Sequence, residues 1–406
     1  MQFNLNIDSF IRNHVTGREE SLLVQDFEKY NIQLSTLING KSVLVIGGAG
    51  TIGSSYIRAI LKFNIAKLVV VDINENGLTE LVRDLRSSGG YNIPDEFITY
   101  PVNFGDNVFE KLFRYHGPFQ IVANFAAHKH VRSEKDIFSI EAMIENNVLR
   151  ARKLLDLLLV FPPEHFFCVS TDKAANPVNI MGASKKLMEE LIMAYSDRLP
   201  IKTARFANVA FSNGSLPLGF LERMQKKQPW SCPRGIRRFF VSPQESGELC
   251  LMASIMGESG DIFFPKLDEE RDMIPFDQIA VDLLHSMGLE ADVCQTEEEA
   301  RQKTLLLNES STSYPVYFFG SDTSGEKAFE EFYTENEALD MDSFINLGVV
   351  KNSKKRSIHE IDELFTRLRD LFASEQVTKA AIVEILKKYL PNFEHIETGK
   401  GLDSKM

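Results

Sequence analysis

A doubly wound parallel α/β sheet is the fold class this sequence predicts, and three observations predict it. From Lys41 to Asn208, short β-branched or apolar runs alternate with longer amphipathic stretches, the pattern of repeated βα units whose strands are covered on both faces. The first strand runs directly into Gly47-Gly48-Ala49-Gly50-Thr51-Ile52-Gly53, a G-x-G-x-x-G turn that opens a helix. Asp72 closes the next strand, at the spacing where a carboxylate meets the hydroxyls of an adenosine ribose.

Taken in order, residues 1–40 form an extension whose Phe10, Leu22, Phe27 and Tyr30 can dock on the body or on a partner subunit. Residues 41–210 form a Rossmann-type dinucleotide-binding domain. Its strands are expected at Val43–Ile46, Leu68–Val71, Phe97–Thr99, Ile121–Phe125, Phe166–Val169 and Thr203–Phe206, all short apolar runs. Helices between them are expected at Thr51–Phe63, Glu75–Ser87, Ile140–Leu159 and Met181–Tyr195. After Asn208 the alternation fails, and glycine, proline and aromatic residues thicken from Phe211 to Phe240, as in loops that cover a substrate. Residues 211–345 are therefore expected to be a smaller substrate-binding region, with an acidic helix at Thr296–Lys303 and a strand at Pro315–Phe319. Residues 346–406 are expected to be a helical tail carrying Ile358–Phe372 and Lys379–Tyr389.

Composition narrows the function classes. A formal charge of −12 argues against a nucleic-acid or anionic-membrane surface. No basic segment followed by an apolar run stands at the N-terminus, and the most apolar stretch, Leu154–Phe161, contains Asp156, so a cytoplasmic protein without a membrane span is expected. Cys168, Cys232, Cys250 and Cys294 are far apart and form no C-x-x-C pair, which points to plain thiols rather than a metal or disulfide framework.

The glycine turn carries the cofactor expectation. Glycines there permit a tight turn and let a pyrophosphate approach backbone N–H groups at the positive end of the helix, with Gly47, Gly50, Thr51, Ile52 and Gly53 as the contacts. Asp72 favours NAD over NADP, because a carboxylate repels a 2′-phosphate. Asn103 and Phe104, after the third strand, are placed to flank the adenine. Ala126 and Ala127, after the fourth, are small enough for the dinucleotide to pass closely.

Ser170-Thr171-Asp172-Lys173-Ala174 ends the fifth strand, and Met181-Gly182-Ala183-Ser184-Lys185 opens the following helix. Strand ends on the cofactor side of an open sheet are where reacting groups belong. Five stretches, GGAGTIGSS at 47–55, NFAAHKHV at 124–131, STDKAANPVNIMGASKKLMEE at 170–190, RFANV at 205–209 and SGEKAFEEF at 324–332, resemble the extended short-chain dehydrogenases, and among them the nucleotide-sugar 4,6-dehydratases of polysaccharide biosynthesis. The resemblance implies a tightly held NAD(P), recycled within each turnover, and conversion of UDP-N-acetylglucosamine or a close relative into a 4-keto-6-deoxy sugar nucleotide. In that chemistry C4 is oxidised, the ketone acidifies the C5 proton, a base removes it, an acid protonates the departing C6 hydroxyl and hydride returns to C6.

By resemblance Asp172 is the acid, Lys173 the base, and Thr171 hydrogen-bonds near the C4 oxygen. Lys173 must be neutral for this, which burial beside Lys185 and a cationic nicotinamide would favour. Lys185 is expected on the nicotinamide ribose. Met181 stands where the wider superfamily has a tyrosine, and a thioether cannot usefully accept the sugar hydroxyl proton. A subgroup of the dehydratases is similar here, carrying M-G-A-S-K at this place.

His128 and Lys129, with His130, are expected to shape the loop over nicotinamide and substrate. They do not suggest a metal site, because no cysteine or carboxylate is placed to complete a ligand set. For the substrate diphosphate the second half offers Asn208, Asn213, Arg234, Arg237 and Arg238. Gly325-Glu326-Lys327 is open between a structural loop and a nucleotide contact. The resemblance also implies pairing through the helices that flank the catalytic strand, so Ile140–Leu159 and Met181–Tyr195 are expected to build a homodimer or higher homo-oligomer. Two other functions stay open: a nucleotide-sugar 4-epimerase, which returns the hydride to C4, and a non-catalytic NAD(P)-binding scaffold or sensor.

Overall fold

The computed structural model describes residues 5–129, 134–320, 330–351, 353, 355–375 and 377–395. His130 and Gly325-Glu326-Lys327 lie outside the described residues. Helix α1 (Ile7–Phe10) runs through a π-helical turn at Ile11–Thr16, and α2 (Val24–Ile38) leads into the sheet. Strands β1 (Ser42–Ile46), β2 (Lys67–Asp72), β3 (Glu96–Pro101), β4 (Ile121–Asn124), β5 (His165–Val169) and β6 (Ile201–Ala204) pair in parallel in the order 3-2-1-4-5-6. The helices between them are α3 (Thr51–Ile60), α4 (Glu75–Ser87), α5 (Asn107–His116), α6 (Ile137–Ile144), α7 (Arg150–Val160) and α8 (Ile180–Tyr195). This is the predicted doubly wound sheet. The chain reverses direction across the sheet between β1 and β4, which opens a crevice at their carboxyl ends.

The helix expected at Ile140–Leu159 is divided. A π-helical turn at Glu145–Leu149 separates α6 from α7. Such a turn rotates one side chain out of the helical register, and here buried Asn147 takes that place.

The second half consists of β7 (Asn208–Val209), α9 (Leu216–Gln225), β8 (Trp230–Pro233), β9 (Arg237–Val241), α10 (Pro243–Met256), β10 (Ile262–Pro265), α11 (Glu269–Asp272), β11 (Met273–Pro275), α12 (Phe276–Ser286), β12 (Glu290–Cys294), α13 (Glu297–Leu305), β13 (Ser313–Phe319), β14 (Ala338–Asp340), β15 (Leu347–Lys351), α14 (Ile358–Phe372) and α15 (Lys379–Tyr389). Two three-stranded sheets, β11-β9-β7 and β12-β13-β8, belong to it. The boundary expected at residue 210 nonetheless does not close the first domain. β10 pairs in parallel with β6, β15 runs antiparallel to β10, and β14 to β15, which extends the central sheet to nine strands among the described residues. The segment from 346 likewise begins as a sheet strand, and α14 and α15 are not a loose tail, because Ile361, Leu364, Leu368, Ile382 and Leu386 are buried in the main core.

The N-terminal extension is stitched into both cores. Phe10, Ile11 and Val15 lie in the core built around Trp230 and Phe220, while Leu23, Leu34 and Ile38 lie in the core of the central sheet. Leu22, Phe27 and Tyr30 pack partly buried against the latter. Arg18 locks the crossing. It donates to both oxygens of Glu245 at the start of α10, at 2.7 and 2.9 Å, and to the Phe240 carbonyl of β9 at 3.0 Å. Of the two helices expected to pair with a partner subunit, α8 has no exposed residue, whereas the Ile140–Leu159 stretch exposes Ala142, Lys153 and Asp156. Among the described residues no helix is long and apolar enough to cross a membrane.

Candidate active site

The glycine turn is shaped by close packing at two positions and by something else at a third. Gly47 has φ +78, and a Cβ there would lie 2.5 Å from the Ala126 nitrogen. A Cβ on Gly53 would lie 2.2 Å from the Gly47 carbonyl oxygen. A Cβ on Gly50 meets no protein atom closer than 3.5 Å and has ordinary φ. Nothing in the protein demands glycine there, so the open side of the turn fits a ligand backing onto the first amides of α3. Gly50 caps α3 with no side chain over those amides. Thr51 and Ile52 open the helix, and the Thr51 hydroxyl accepts a 3.0 Å hydrogen bond from the Asn213 amide, which ties the turn to the loop after β7.

Asp72 stands at the end of β2. Its carboxylate accepts from the Ala49 amide of the glycine turn and from Asn74, both at 2.9 Å. Turn and acidic residue therefore form one surface, and the arrangement fits a dinucleotide whose pyrophosphate rests on α3 and whose adenosine ribose reaches Asp72. After β3, Asn103 accepts from Gly105 while Phe104 is buried edge-on against Phe109. Ala126 and Ala127 form the opposite wall beside Gly47.

Beyond Ala127, buried Asn147 grips the main chain of His128, accepting from its amide at 2.8 Å and donating to its carbonyl at 3.0 Å. The same amide group donates to Ser184 on α8 at 3.0 Å. The π-turn thus places one asparagine to fix the loop after β4 against α8. Both His128 and Lys129 keep exposed surface, yet loss of solvent to the surrounding protein lowers their pKa values, with Arg150 adding to the effect at His128.

The reacting cluster sits where β5 ends. Asp172 is buried, and its Oδ1 accepts from the Thr171 hydroxyl at 2.7 Å, the Lys173 amide at 2.9 Å and the Lys173 Nζ at 2.9 Å. Glu330, also buried, brings a second carboxylate to 4.0 Å from the same Nζ. Burial alone would lower the Lys173 pKa, but Asp172 and then Glu330 outweigh it and raise it above the ordinary lysine value, with Arg238 opposing. This corrects the expectation of a neutral Lys173. The groups that favour its charge are Asp172 and then Glu330, while the Lys185 amine donates to the Val169 carbonyl at 2.6 Å. Burial holds Lys185 below its ordinary pKa, against Cys168 and Glu189.

Met181 is buried in the first turn of α8, whose cap Asn179 accepts from the Gly182 amide at 2.7 Å. Arg238, on β9, is buried close enough for its charge to act on Lys173. Asn208 lies on the neighbouring β7, opposite Phe240. Arg234 and Arg237 lie apart from this cluster. The first stacks over Phe318 and the second donates to the Glu269 carbonyl.

Glu330, in SGEKAFEEF, and Asn147 and Glu189 join the site without a motif that assigns them a role. The one signal for them was their polarity inside otherwise apolar or motif-rich stretches.

The sequence profile of the family described as polysaccharide biosynthesis protein matches residues 43–351. The probable polysaccharide biosynthesis protein EpsC of Bacillus subtilis is 27% identical over 86% of this chain, which spans only 56% of the length of that relative. A UDP-glucose 4-epimerase of Rickettsia typhi is 32% identical over 56% of this chain and 66% of its own. Among solved structures, Pen from Bacillus thuringiensis superposes with a TM-score of 0.63 at 20% identity, covering 79% of this chain and 91% of its own, which shows a shared fold.

Proposed function

Because the chain belongs to the polysaccharide biosynthesis protein family, we propose that it is a nucleotide-sugar 4,6-dehydratase, acting on UDP-N-acetylglucosamine or a close relative with NAD as its recycled cofactor. The observation that carries this reading is the ion pair of buried Asp172 with half-buried Lys173 just after β5, with Met181 in place of a tyrosine. Loss of water across C5 and C6 needs an acid and a base side by side, whereas epimerisation at C4 needs no acid at C6.

Gly47, Gly50, Thr51, Ile52 and Gly53 would hold the pyrophosphate, Asp72 the adenosine ribose, and Lys185 the nicotinamide ribose. When bound, the nicotinamide supplies transient removal and return of a hydride. The chain supplies the proton chemistry. Lys173 and Asp172 begin as ammonium and carboxylate, 2.9 Å apart. Transfer of one proton across that contact yields an amine able to take the C5 proton and a carboxylic acid able to protonate the C6 hydroxyl, with no change in net charge. Thr171 donates to the same carboxylate oxygen at 2.7 Å and would hydrogen-bond near the C4 oxygen of a bound sugar. Arg238 would bind the sugar side of the substrate, with His128, Lys129 and Asn208 along its approach.

The test is incubation of the purified protein with UDP-N-acetylglucosamine in deuterated water, followed by NMR and mass spectrometry. A product lighter by one water and carrying deuterium at C5 is expected. The 32% identity to a UDP-glucose 4-epimerase favours a second reading, and formation of UDP-N-acetylgalactosamine without water loss would establish it. Failure to dehydrate any of a panel of UDP- and dTDP-hexoses would overturn the proposal.

A further inference from the structure

The chain beyond the family match at residue 351 returns to the catalytic end of the molecule. α14 packs on α8 and carries α15 against its other side; Asp362 of α14 accepts from Arg152 of α7 at 2.7 Å, and just before α14 Lys355 pairs with Asp197 at 2.5 Å and Arg356 with Glu190. Past α15 the chain reaches His395, whose Nε2 contacts Glu134.

Glu134 lies in the connection between β4 and α6, a few residues beyond His128, and only 6% of its side chain is exposed. Its two oxygens face different elements. Oε2 accepts a 2.8 Å hydrogen bond from the backbone amide of Ile180, the first residue of α8. Oε1 meets His395 and, at 3.2 Å, the Lys379 ammonium at the start of α15. A carboxylate this buried needs donors around it, and at a helix N-terminus its charge is also favoured by the exposed amides. Lys379 of α15 and His395 beyond it thus bring a cationic and an imidazole donor from the C-terminal segment to Glu134.

The position is consequential because Ile180 precedes Met181, and Lys185 follows about one turn later on the same helix. We propose that Glu134 is a positioning residue through which the C-terminal helices fix the N-terminus of α8, and with it Met181 and Lys185, against the Asp172–Lys173 pair. The proposal rests on the dehydratase reading for its effect on rate.

The test uses the full-length chain with Glu134→Leu, Glu134→Gln and a His395→Ala/Lys379→Met double variant. Glu134→Leu should lose about tenfold or more in kcat, the size of one lost charge-assisted hydrogen bond, with KM for the sugar nucleotide within about twofold of the parent. Glu134→Gln, whose amide oxygen still accepts from Ile180, should stay within about threefold of the parent. The double variant should fall between them. Amide hydrogen exchange read by mass spectrometry supplies a second readout. In Glu134→Leu the peptide covering residues 176–184 should exchange about tenfold faster while β1 is unchanged. Parental exchange in that peptide, or faster exchange throughout the molecule, would overturn the proposal. Should no sugar nucleotide be dehydrated, the exchange result still decides the role of Glu134, and only the functional reading falls.

Discussion

Replacing Arg205 with methionine probes the charge network that backs the candidate active site. Arg205 follows β6 and is fully buried. Its guanidinium donates to Glu189 of α8 at 2.8 and 2.9 Å, to Glu337 at 2.8 Å through two nitrogens, and to the Phe332 carbonyl at 3.0 Å. Ser170, beside Thr171, also donates to Glu189 at 2.6 Å. Burial alone would raise the Glu189 pKa, but Arg205 and then Lys186 hold it well below the ordinary glutamate value. Methionine is apolar and leaves both carboxylates without their shared cation. Removing one partner of such a buried set costs about 3–5 kcal/mol, a large part of the roughly 5–15 kcal/mol that stabilises a typical fold. For 406 residues that corresponds to a fall in Tm on the order of 4–6 °C. The assay is urea unfolding of parent and variant at neutral pH and again near pH 3.5. Because Glu189 is more acidic folded than unfolded, the stability it contributes is complete above about pH 4.3 and drains as pH falls below that value, so the gap between the two proteins should narrow in acid. A gap under about 1 kcal/mol at neutral pH, or one that does not narrow, would refute the assignment of this network as a structural support.

Three further outcomes follow from the geometry. Gly50→Ala should melt within about 1 kcal/mol of the parent yet lose bound dinucleotide, whereas Gly53→Ala, whose Cβ would strike the Gly47 carbonyl at 2.2 Å, should lose both; calorimetry and HPLC of released cofactor separate them. Asp72→Asn should raise the affinity for NADP relative to NAD by about tenfold or more in a fluorescence titration, since a like-charge repulsion is removed; an unchanged ratio would place the 2′-position elsewhere. Deleting residues 1–38 removes Phe10, Ile11, Val15, Leu23, Leu34 and Ile38 from two cores. At about 1.5–3 kcal/mol for each buried side chain, the loss matches the whole stability of a typical fold, so insoluble or non-cooperatively unfolding protein is expected. A soluble fragment with parental Tm would show the extension to be dispensable.

Elements bounded by local chemistry were legible in the sequence. α4, α14 and α15 begin and end where expected because Asn74, Ser357 and Thr378 accept hydrogen bonds from amides of their own first turns. The features that sequence could not show depend on partners far along the chain. β10 is four residues, Ile262–Pro265, with nothing nearby to indicate that it would extend the sheet beside β6. The π-turn at Glu145–Leu149 leaves the apolar pattern of the helix intact, and its cause is the tertiary grip of Asn147 on His128 and Ser184. The glycine turn and Asp72 were legible as a pair, but the direct bond from Ala49 to Asp72 was not.

The charge on Lys173 shows most clearly where local reasoning stops, and it leads to a last prediction. A buried lysine considered alone should shed its proton, as a base at C5 requires. The folded chain instead surrounds the amine with Asp172 and Glu330 and pushes its pKa upward. If the base arose by releasing that proton to solvent, kcat would climb with pH through the alkaline range. If it arises by passing the proton to Asp172, no proton leaves the site, and kcat should be flat around neutrality. Asp172→Asn removes the internal acceptor. Its residual rate should therefore be lower by about 10²–10⁴-fold and should now rise with pH, because only solvent is left to take the proton. A parent enzyme whose kcat rises tenfold per pH unit through neutrality would rule out the internal transfer and return Lys173 to the role of a simple base.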